Sequence, residues 1–305
     1  MVPIFGLMAF GYGATFTRVF DAAAARALAA FVFYFAIPVM LFRNMATATL
    51  PDQIPWGYLL SYYLAAAVIF AAGMVGAGAL FGGPLERQAI TGFSSAFGNT
   101  VLLGIPLVLT TFGEPASLPL FLLVAFHSTL LFTAVTVVIE VGRGSRAELR
   151  TLPVAILTGL ATNPVLWGLI LGIGFSLAGL TLPRPLERWA ALIGSGAAPC
   201  ALFSVGASLR AYRLKGALLP AAMMTALKLV VHPLLVFGLI HLVFDVPPLW
   251  AKVAIVIAAL PVGVNPYLFA VRYDAGQAES ASAILLTSLL SVATVSLVLF
   301  WLGSG

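Results

Sequence analysis

Apolar stretches of about 20 residues recur along the whole chain, separated by short polar connections, as a bilayer about 30 Å thick requires of helices. Of the 305 residues, 62% are hydrophobic and 8% are charged, whereas soluble domains carry about a quarter charged residues. The pattern predicts an all-α polytopic membrane protein. The ten predicted spans are Val2–Thr17, Ala23–Met45, Trp56–Phe81, Gln88–Phe112, Ser117–Val141, Pro153–Leu180, Trp189–Leu209, Ala217–Phe244, Leu249–Val271 and Ala278–Leu302.

The positive charges lie mostly in the connections between these spans, and their distribution predicts an orientation. We expect the protein to lie in the cell (inner) membrane. Because Lys and Arg are enriched in cytoplasmic loops, the odd-numbered connections are expected in the cytoplasm and both termini outside it. The odd-numbered connections hold Arg18, Arg26, Arg87, Arg143, Arg146, Arg150, Arg210, Arg213, Lys215 and Arg272, against Arg43, Arg184, Arg188 and Lys252 in the even-numbered ones and their flanks. The first span lacks a basic leader and a cleavage site, so we expect it to remain as a helix.

Two related halves are predicted from recurring features on either side of a polar connection. The first repeat would occupy residues 1–141, a cytoplasmic connection 142–152 and the second repeat 153–305, together forming one membrane domain. Pro38 and Pro199 are 161 positions apart, and Asn99 and Asn265 are 166 apart, so the register nearly repeats. With five spans in each half, the two repeats would insert in opposite orientations.

The fourth and ninth spans are each interrupted by an Asn with neighbouring Gly and Pro. The first interruption reads Gly98-Asn99-Thr100 and continues to Gly104-Ile105-Pro106; the second runs from Pro261 to Tyr267. Unwound backbone at membrane depth is tolerated only inside protein or along a polar cavity. A matched pair of Gly/Pro-interrupted spans marks the binding site of many secondary transporters. We therefore predict a secondary transporter.

The two Asn side chains are the leading candidates for substrate contact. If both segments unwind, each leaves a half-helix N-terminus whose free N–H groups favour an anion. The alternative is that each Asn joins two helices through an ordinary interhelical hydrogen bond. The predicted substrate-binding residues are Gly98, Asn99, Thr100, Pro106, Lys228, Asn265, Pro266 and Tyr267.

Lys228 is predicted to lie deep inside the eighth span, about 16 Å from its start at 1.5 Å per residue. An ionisable group at that depth is a functional candidate. It would attract an anionic substrate or take the place of a coupling cation, and His232 follows one turn later on the same face. The alternative is a Lys that reaches water along the flank of its helix.

Several functions are excluded by what the sequence lacks. There is no Walker-type glycine loop for ATP, and no nucleophile elbow or paired intramembrane Asp residues, so an enzyme is not predicted. The single Cys200 cannot form an intramolecular disulfide, and His127, His232 and His241 lack acidic partners at metal-ligand spacing. We expect no cofactor and no metal. The net charge of +5 follows no basic stripe, so the expected partners are the lipid bilayer and a substrate, without nucleic acid.

Three sets of residues resemble one known family in their order along the chain. They are Phe33-Tyr34 with Pro38, the run Gly98-Asn99 to Gly104-Ile105-Pro106 and Phe112-Gly113, and the run Pro261, Asn265, Tyr267, Phe269-Ala270 and Tyr273. The whole chain resembles the auxin efflux carrier family, which includes bacterial permeases for small organic anions and the plant PIN carriers.

The resemblance implies two inverted five-helix repeats, with a scaffold that often forms a homodimer and a transport domain in which the fourth and ninth helices unwind and cross. It assigns the substrate carboxylate to Asn99 and Asn265. The central connection of about ten residues is similar to that of the bacterial members, whose substrates include malonate and malate, and makes auxin a weaker expectation. Two alternatives remain open: a sodium-coupled carrier of the bile-acid-transporter type, and a membrane receptor that binds ligand without transport. Proton coupling or facilitated flux is preferred to sodium coupling, because no extra acidic residue lies near the interruptions.

Overall fold

The computed structural model describes residues 2–17, 19–48, 53–144, 146–212, 214 and 217–303, and its regular structure there is helical. Within these ranges, strand-like pairing is limited to a single β-bridge. Short π-helical turns occupy Val32–Ala36, Thr100–Gly104 and Leu227–Val231. The α-helices are α1 (Val2–Ala14), α2 (Ala22–Phe31), α3 (Ile37–Ala46), α4 (Trp56–Phe81), α5 (Leu85–Ala96), α6 (Ile105–Phe112), α7 (Ser117–Arg143), α8 (Arg146–Ala161), α9 (Pro164–Leu177), α10 (Arg184–Ser195), α11 (Ala197–Ser208), α12 (Leu218–Ala226), α13 (His232–Leu242), α14 (Pro248–Ala258), α15 (Asn265–Arg272) and α16 (Gln277–Gly303).

Six helical stretches of the described chain are long and apolar enough to cross a bilayer. They are Ala22–Ala46, Trp56–Phe81, Glu114–Arg143, Arg184–Ala211, Leu218–Leu242 and Gln277–Gly303, and they correspond to the second, third, fifth, seventh, eighth and tenth predicted spans. A seventh is counted if Arg150–Ala161 and Pro164–Leu177, which meet at a bend of 59°, form one span. The chain is therefore an all-helical, multi-pass membrane protein.

The other three predicted spans form shorter apolar helices. These are Pro3–Ala14, Thr100–Phe112 and Pro248–Ala258, each too short to cross a bilayer alone. The last two belong to the interrupted fourth and ninth predicted spans, so their shortness follows from the interruptions themselves. Of the basic residues used to predict orientation, Arg18, Arg213 and Lys215 lie outside the described residues.

The polar connection predicted at 142–152 is largely helical where the structure describes it. Helix α7 continues to Arg143, and α8 begins at Arg146 and carries Pro153 inside it. The stretch 146–150 reads Arg-Ala-Glu-Leu-Arg, and all of these residues are good helix formers, so a polar composition did not prevent a helix. Ser145, between the two helices, lies outside the described residues.

The first of two compact units comprises Met1–Ile54, Val101–Ala125 and Thr158–Ala211. Its helices pack through glycines: a Cβ at Gly168 would lie 2.6 Å from the Pro38 carbonyl oxygen, and one at Gly172 would lie 2.8 Å from that of Phe42. Gly168 and Gly172, four residues apart on one helix face, thus bring α9 against the backbone of α3, as close helix packing in membranes requires.

The second unit comprises Pro55–Thr100, Phe126–Leu157 and Tyr212–Gly305. Its core contains edge-to-face and stacked rings of Phe93, Phe97, Phe132 and Phe269. Such aromatic pairs contribute roughly 0.5–1.5 kcal/mol each beyond the area that they bury. The cluster fixes the end of α5, where the first interruption begins. Both units draw on residues from 1–141 and from 153–305, so they divide the chain differently from the predicted repeats.

Candidate functional site

Both predicted interruptions are unwound in the structure. Helix α5 ends at Ala96, Phe97 is extended with φ −82° and ψ 110°, and helical structure resumes at Thr100. Helix α14 ends at Ala258 and α15 begins at Asn265. The sequence explains both endings, because glycine favours departure from the helix and proline has no N–H to continue it.

The two unwound segments lie against each other within the second unit. Gly98 and Val262 form an antiparallel bridge. The Asn99 N–H donates to the Pro261 carbonyl at 2.9 Å, and the Gly263 N–H donates to the Phe97 carbonyl at 3.2 Å. Buried backbone groups need such partners, so each interruption supplies the hydrogen bonds that the other lost when its helix ended.

Thr287 on α16 supports this pairing from a third element. Its fully buried Oγ1 accepts a hydrogen bond from the Val262 N–H at 3.1 Å and donates one to the Ala283 carbonyl at 2.7 Å. The bridge with Gly98 does not use the Val262 N–H, and the Thr287 hydroxyl is its acceptor.

Replacing this hydroxyl by a methyl group in Thr287→Val is expected to lower the stability of the purified protein by about 1–3 kcal/mol, because the buried Val262 N–H loses its acceptor. The matched control is Thr294→Val on the same helix, where the buried hydroxyl has no partner among the described residues and its loss should be neutral or stabilising. Thermal unfolding in detergent measures both variants. Equal shifts in the two melting temperatures would contradict the role given to Thr287.

The side chains of Asn99 and Asn265 are half-buried at the two interruptions. Neither amide makes a hydrogen bond to the described part of the chain. Asn265 is the first residue of α15, and the buried Pro266 follows at a position where no N–H is needed. Two amides without partners in a membrane protein represent unmet hydrogen-bonding capacity, which a polar ligand can satisfy.

Tyr267 lies on the first turn of α15, with the ring of Tyr212 packed edge-on at 5.5 Å between centroids. Burial, followed by the proximity of Tyr267, raises the pKa of Tyr212 to about 12. Its phenol therefore stays protonated at neutral pH and can donate a hydrogen bond to an anion. Tyr212 was not predicted from the sequence, because it lies in a connection about 55 residues before Tyr267.

Lys228 lies fully buried in the π turn Leu227–Val231. Its Nζ donates to the Ala258 carbonyl at 2.7 Å and lies 3.1 Å from His232 Nδ1. A Cβ at Gly98 would lie 3.4 Å from the same Nζ, so the ammonium lies beside the first interruption and bonds to the last residue of the helix that precedes the second. The Lys228 side chain is fully buried and does not reach water along its helix. The alternative interpretation, a Lys whose head group is solvated, is therefore wrong.

Two further buried groups belong to this cluster and were not predicted as part of it. His127 Nε2 accepts a hydrogen bond from the Gly98 N–H at 3.3 Å, and His127 Nδ1 lies 3.3 Å from the Tyr62 hydroxyl. The Tyr62 ring lies 5.5 Å from that of His232. We define the polar cluster as Tyr62, His127, Lys228 and His232, all with no exposed side-chain surface.

The remaining predicted site residues divide between the two units. Thr100 is buried, and its N–H donates to the Gly98 carbonyl at 2.9 Å in the second unit. Pro106 is buried near the start of α6, in the first unit. No set of three or more His, Cys, Asp or Glu side chains suited to a metal ion is found in the described ranges.

The fold and the paired interruptions define a multi-pass helical membrane protein with a polar centre inside one of its units. The family described as membrane transport protein matches residues 1–299, and the chain belongs to this family, the auxin efflux carrier family. The resemblance drawn from the sequence is thereby confirmed.

Two relatives give the range of this similarity. One is a protein of Rhizobium meliloti strain 1021 named "Putative malonate transporter", which is 28% identical over 309 residues and is matched over 100% of this chain and 95% of its own length. The other is the lysosomal cholesterol signaling protein of Mus musculus, 25% identical over 257 residues. That alignment covers 79% of this chain and 29% of the mouse protein, so it concerns less than a third of the mouse protein.

Proposed function

We propose that this protein is a secondary transporter, active or facilitative, for a small organic anion such as malonate or malate. The observation that carries the proposal is the pair of unwound segments that present the Asn99 and Asn265 amides without partners. Amide N–H groups and free N–H groups at a helix start bind carboxylate oxygens. The name of the Rhizobium protein supports a dicarboxylate over an auxin-like acid.

The proposed transport cycle is alternating access. The anion binds at the interruptions near the middle of the membrane, and one group of helices moves as a rigid body against the other to expose the site on the opposite side. We further propose ten membrane segments in two inverted five-helix repeats, 1–141 and 153–305, joined by a cytoplasmic connection at 142–152. Both termini would lie outside the cytoplasm, and the carrier would be a homodimer in the inner membrane.

Counterflow in proteoliposomes tests the function. Vesicles with the purified protein are loaded with unlabelled malonate and diluted into radiolabelled malonate, and a transient uptake above that of protein-free vesicles is expected. Malate, indole-3-acetate and a bile acid are compared as competitors. Binding of malonate without counterflow would favour the receptor alternative, and uptake that depends steeply on external sodium would favour the bile-acid-transporter type.

A further inference from the structure

The polar cluster occupies the place where two helix ends present negative partial charge. The α14 C-terminus ends at Ala258, whose carbonyl accepts from Lys228 Nζ at 2.7 Å, and α5 ends just before Gly98. Carbonyl groups at helix C-termini attract cations. The ammonium of Lys228 therefore complements the negative end of α14, and it does so with a charge that a proton can add or remove.

Within the described residues, no carboxylate pairs with the charge of Lys228. The titratable groups on the neighbouring helices are Tyr58, Tyr62 and Tyr63 on α4, His127, Glu140 and Arg143 on α7, Glu86 and Arg87 on α5, Lys252 on α14, Glu279 on α16, and His232 and His241 on α13. The carboxylates are engaged elsewhere: Glu86 pairs with Arg143 at 2.8 Å, Glu279 pairs with Arg87 at 2.9 Å, and Glu140 interacts with the charge of Arg143 at the end of its own helix. The groups in contact with Lys228 are the imidazole of His232 and the carbonyl of Ala258.

His232 gives this ammonium a proton-accepting neighbour. Its Nδ1 lies 3.1 Å from Nζ, and its Nε2 is buried without a partner in the described part of the chain. Two adjacent positive charges in a buried site repel strongly, so the pair is either neutral or singly charged, and in the charged form the extra proton lies on Nζ or is passed to the imidazole across the 3.1 Å contact. The two forms differ by one proton and one unit of charge.

This charge lies next to the interruption that carries Asn99. Lys228 lies beside Gly98, the residue that precedes Asn99 in the chain, and the Gly98 N–H donates to His127 Nε2. A positive Lys228 favours an anion at the interruption, and by reciprocity a bound anion favours the protonated pair. Loss of the proton also removes the cationic partner of the Ala258 carbonyl, so the proton and the unwound segments are energetically coupled.

We propose that the Lys228–His232 pair takes up one proton from water when the anion binds and releases it when the anion leaves, so that this carrier is a proton–anion symporter that does not use sodium. The proposal rests on the proposed transport function and adds the identity of the coupling ion. One proton and one anion enter from the same side, and both leave on the other side with the pair returned to its unprotonated form.

The test separates exchange from net transport. Exchange of malonate across vesicles at equal pH needs no net release of the proton, whereas accumulation does. With the membrane potential clamped at zero, wild-type protein is expected to accumulate malonate about tenfold inside the vesicles for each pH unit by which the outside is more acidic than the inside. A sodium gradient should have no effect. The variant His232→Asn retains an acceptor near Nδ1 but lacks the imidazole. It should lose the gradient-driven accumulation, while its exchange at equal pH, measured in the same preparation, reports whether the variant still binds and moves malonate.

The matched control is His241→Asn, an exposed histidine on the same helix α13, which should behave as wild type in both assays. If His232→Asn does not fold, alkalinisation of a weakly buffered wild-type suspension on adding malonate still tests the proposal. Wild-type exchange without any response to the acid gradient, or sodium-driven accumulation, would overturn the proton site and leave the transport function standing. Absence of exchange with every anion tried would overturn the transport function and the inference built on it.

Discussion

Uptake of malonate by the double variant Asn99→Ala/Asn265→Ala is expected to fall about a hundredfold or more below wild type at subsaturating substrate. Each amide is expected to donate one hydrogen bond to a carboxylate, and bonds to charged groups contribute about 1.5–3 kcal/mol. Two such bonds together exceed the 2.7 kcal/mol that corresponds to about a hundredfold change in binding. Neither amide bonds to the described part of the protein, so the loss should fall on the ligand rather than on folding.

The matched control is Asn163→Ala, which removes the side-chain cap of α9, where Asn163 Oδ1 accepts from the Val165 N–H at 3.0 Å. Loss of such a cap costs about 1 kcal/mol of stability, and this variant should transport normally. Initial rates are measured with reconstituted protein at matched densities, and thermal unfolding checks each preparation. A double variant that transports at the wild-type rate would show that the substrate binds elsewhere.

The second large effect concerns the packing of α1 in the first unit. Gly11 is buried where a Cβ would overlap the Phe203 carbonyl oxygen of α11, and a Cβ at Gly206 would overlap the Met8 carbonyl oxygen in return. The variant Gly11→Val is therefore expected to lose about 3 kcal/mol or more, since overpacking against backbone cannot be relieved by a rotamer change. We expect little folded protein after detergent extraction.

Gly6→Val is the matched control for this prediction, because it places the same side chain on the same helix at an exposed position with nothing within 4 Å of the new Cβ. Size-exclusion profiles and melting temperatures of the two variants give the comparison. A Gly11→Val protein as monodisperse and as stable as Gly6→Val would mean that α1 is not held against α11.

The two interruptions could be predicted from sequence because their causes are local. Gly98, Pro261 and Pro266 each restrict or free the backbone at their own position, and the structure unwinds the chain there. The proximity of Lys228 and His232 could also be predicted from sequence, since residues four apart on a helix share a face. Their distance of 3.1 Å agrees with that expectation.

The partners that come from other helices could not be predicted in the same way. His127 contacts Gly98 across 29 positions, and Thr287 contacts Val262 across 25; nothing in either local sequence marks these contacts. The π turn at Leu227–Val231 ends two residues before Pro233, whose missing N–H disturbs the regular ladder of hydrogen bonds. That proline was visible in the sequence, but the widened turn that orients Lys228 depends on the packing around it.

The antiparallel bridge between Gly98 and Val262 also has a consequence for the length of the cargo. Because backbone hydrogen bonds join the two segments, the distance between the Asn99 and Asn265 amides is set by the main chain and varies only through side-chain rotation. Under the proposed function, with one amide at each end of a dicarboxylate, this nearly fixed separation selects for cargo length. Among unbranched diacids that differ by one methylene at a time, we expect one length to bind best and both its shorter and its longer neighbours to bind more weakly.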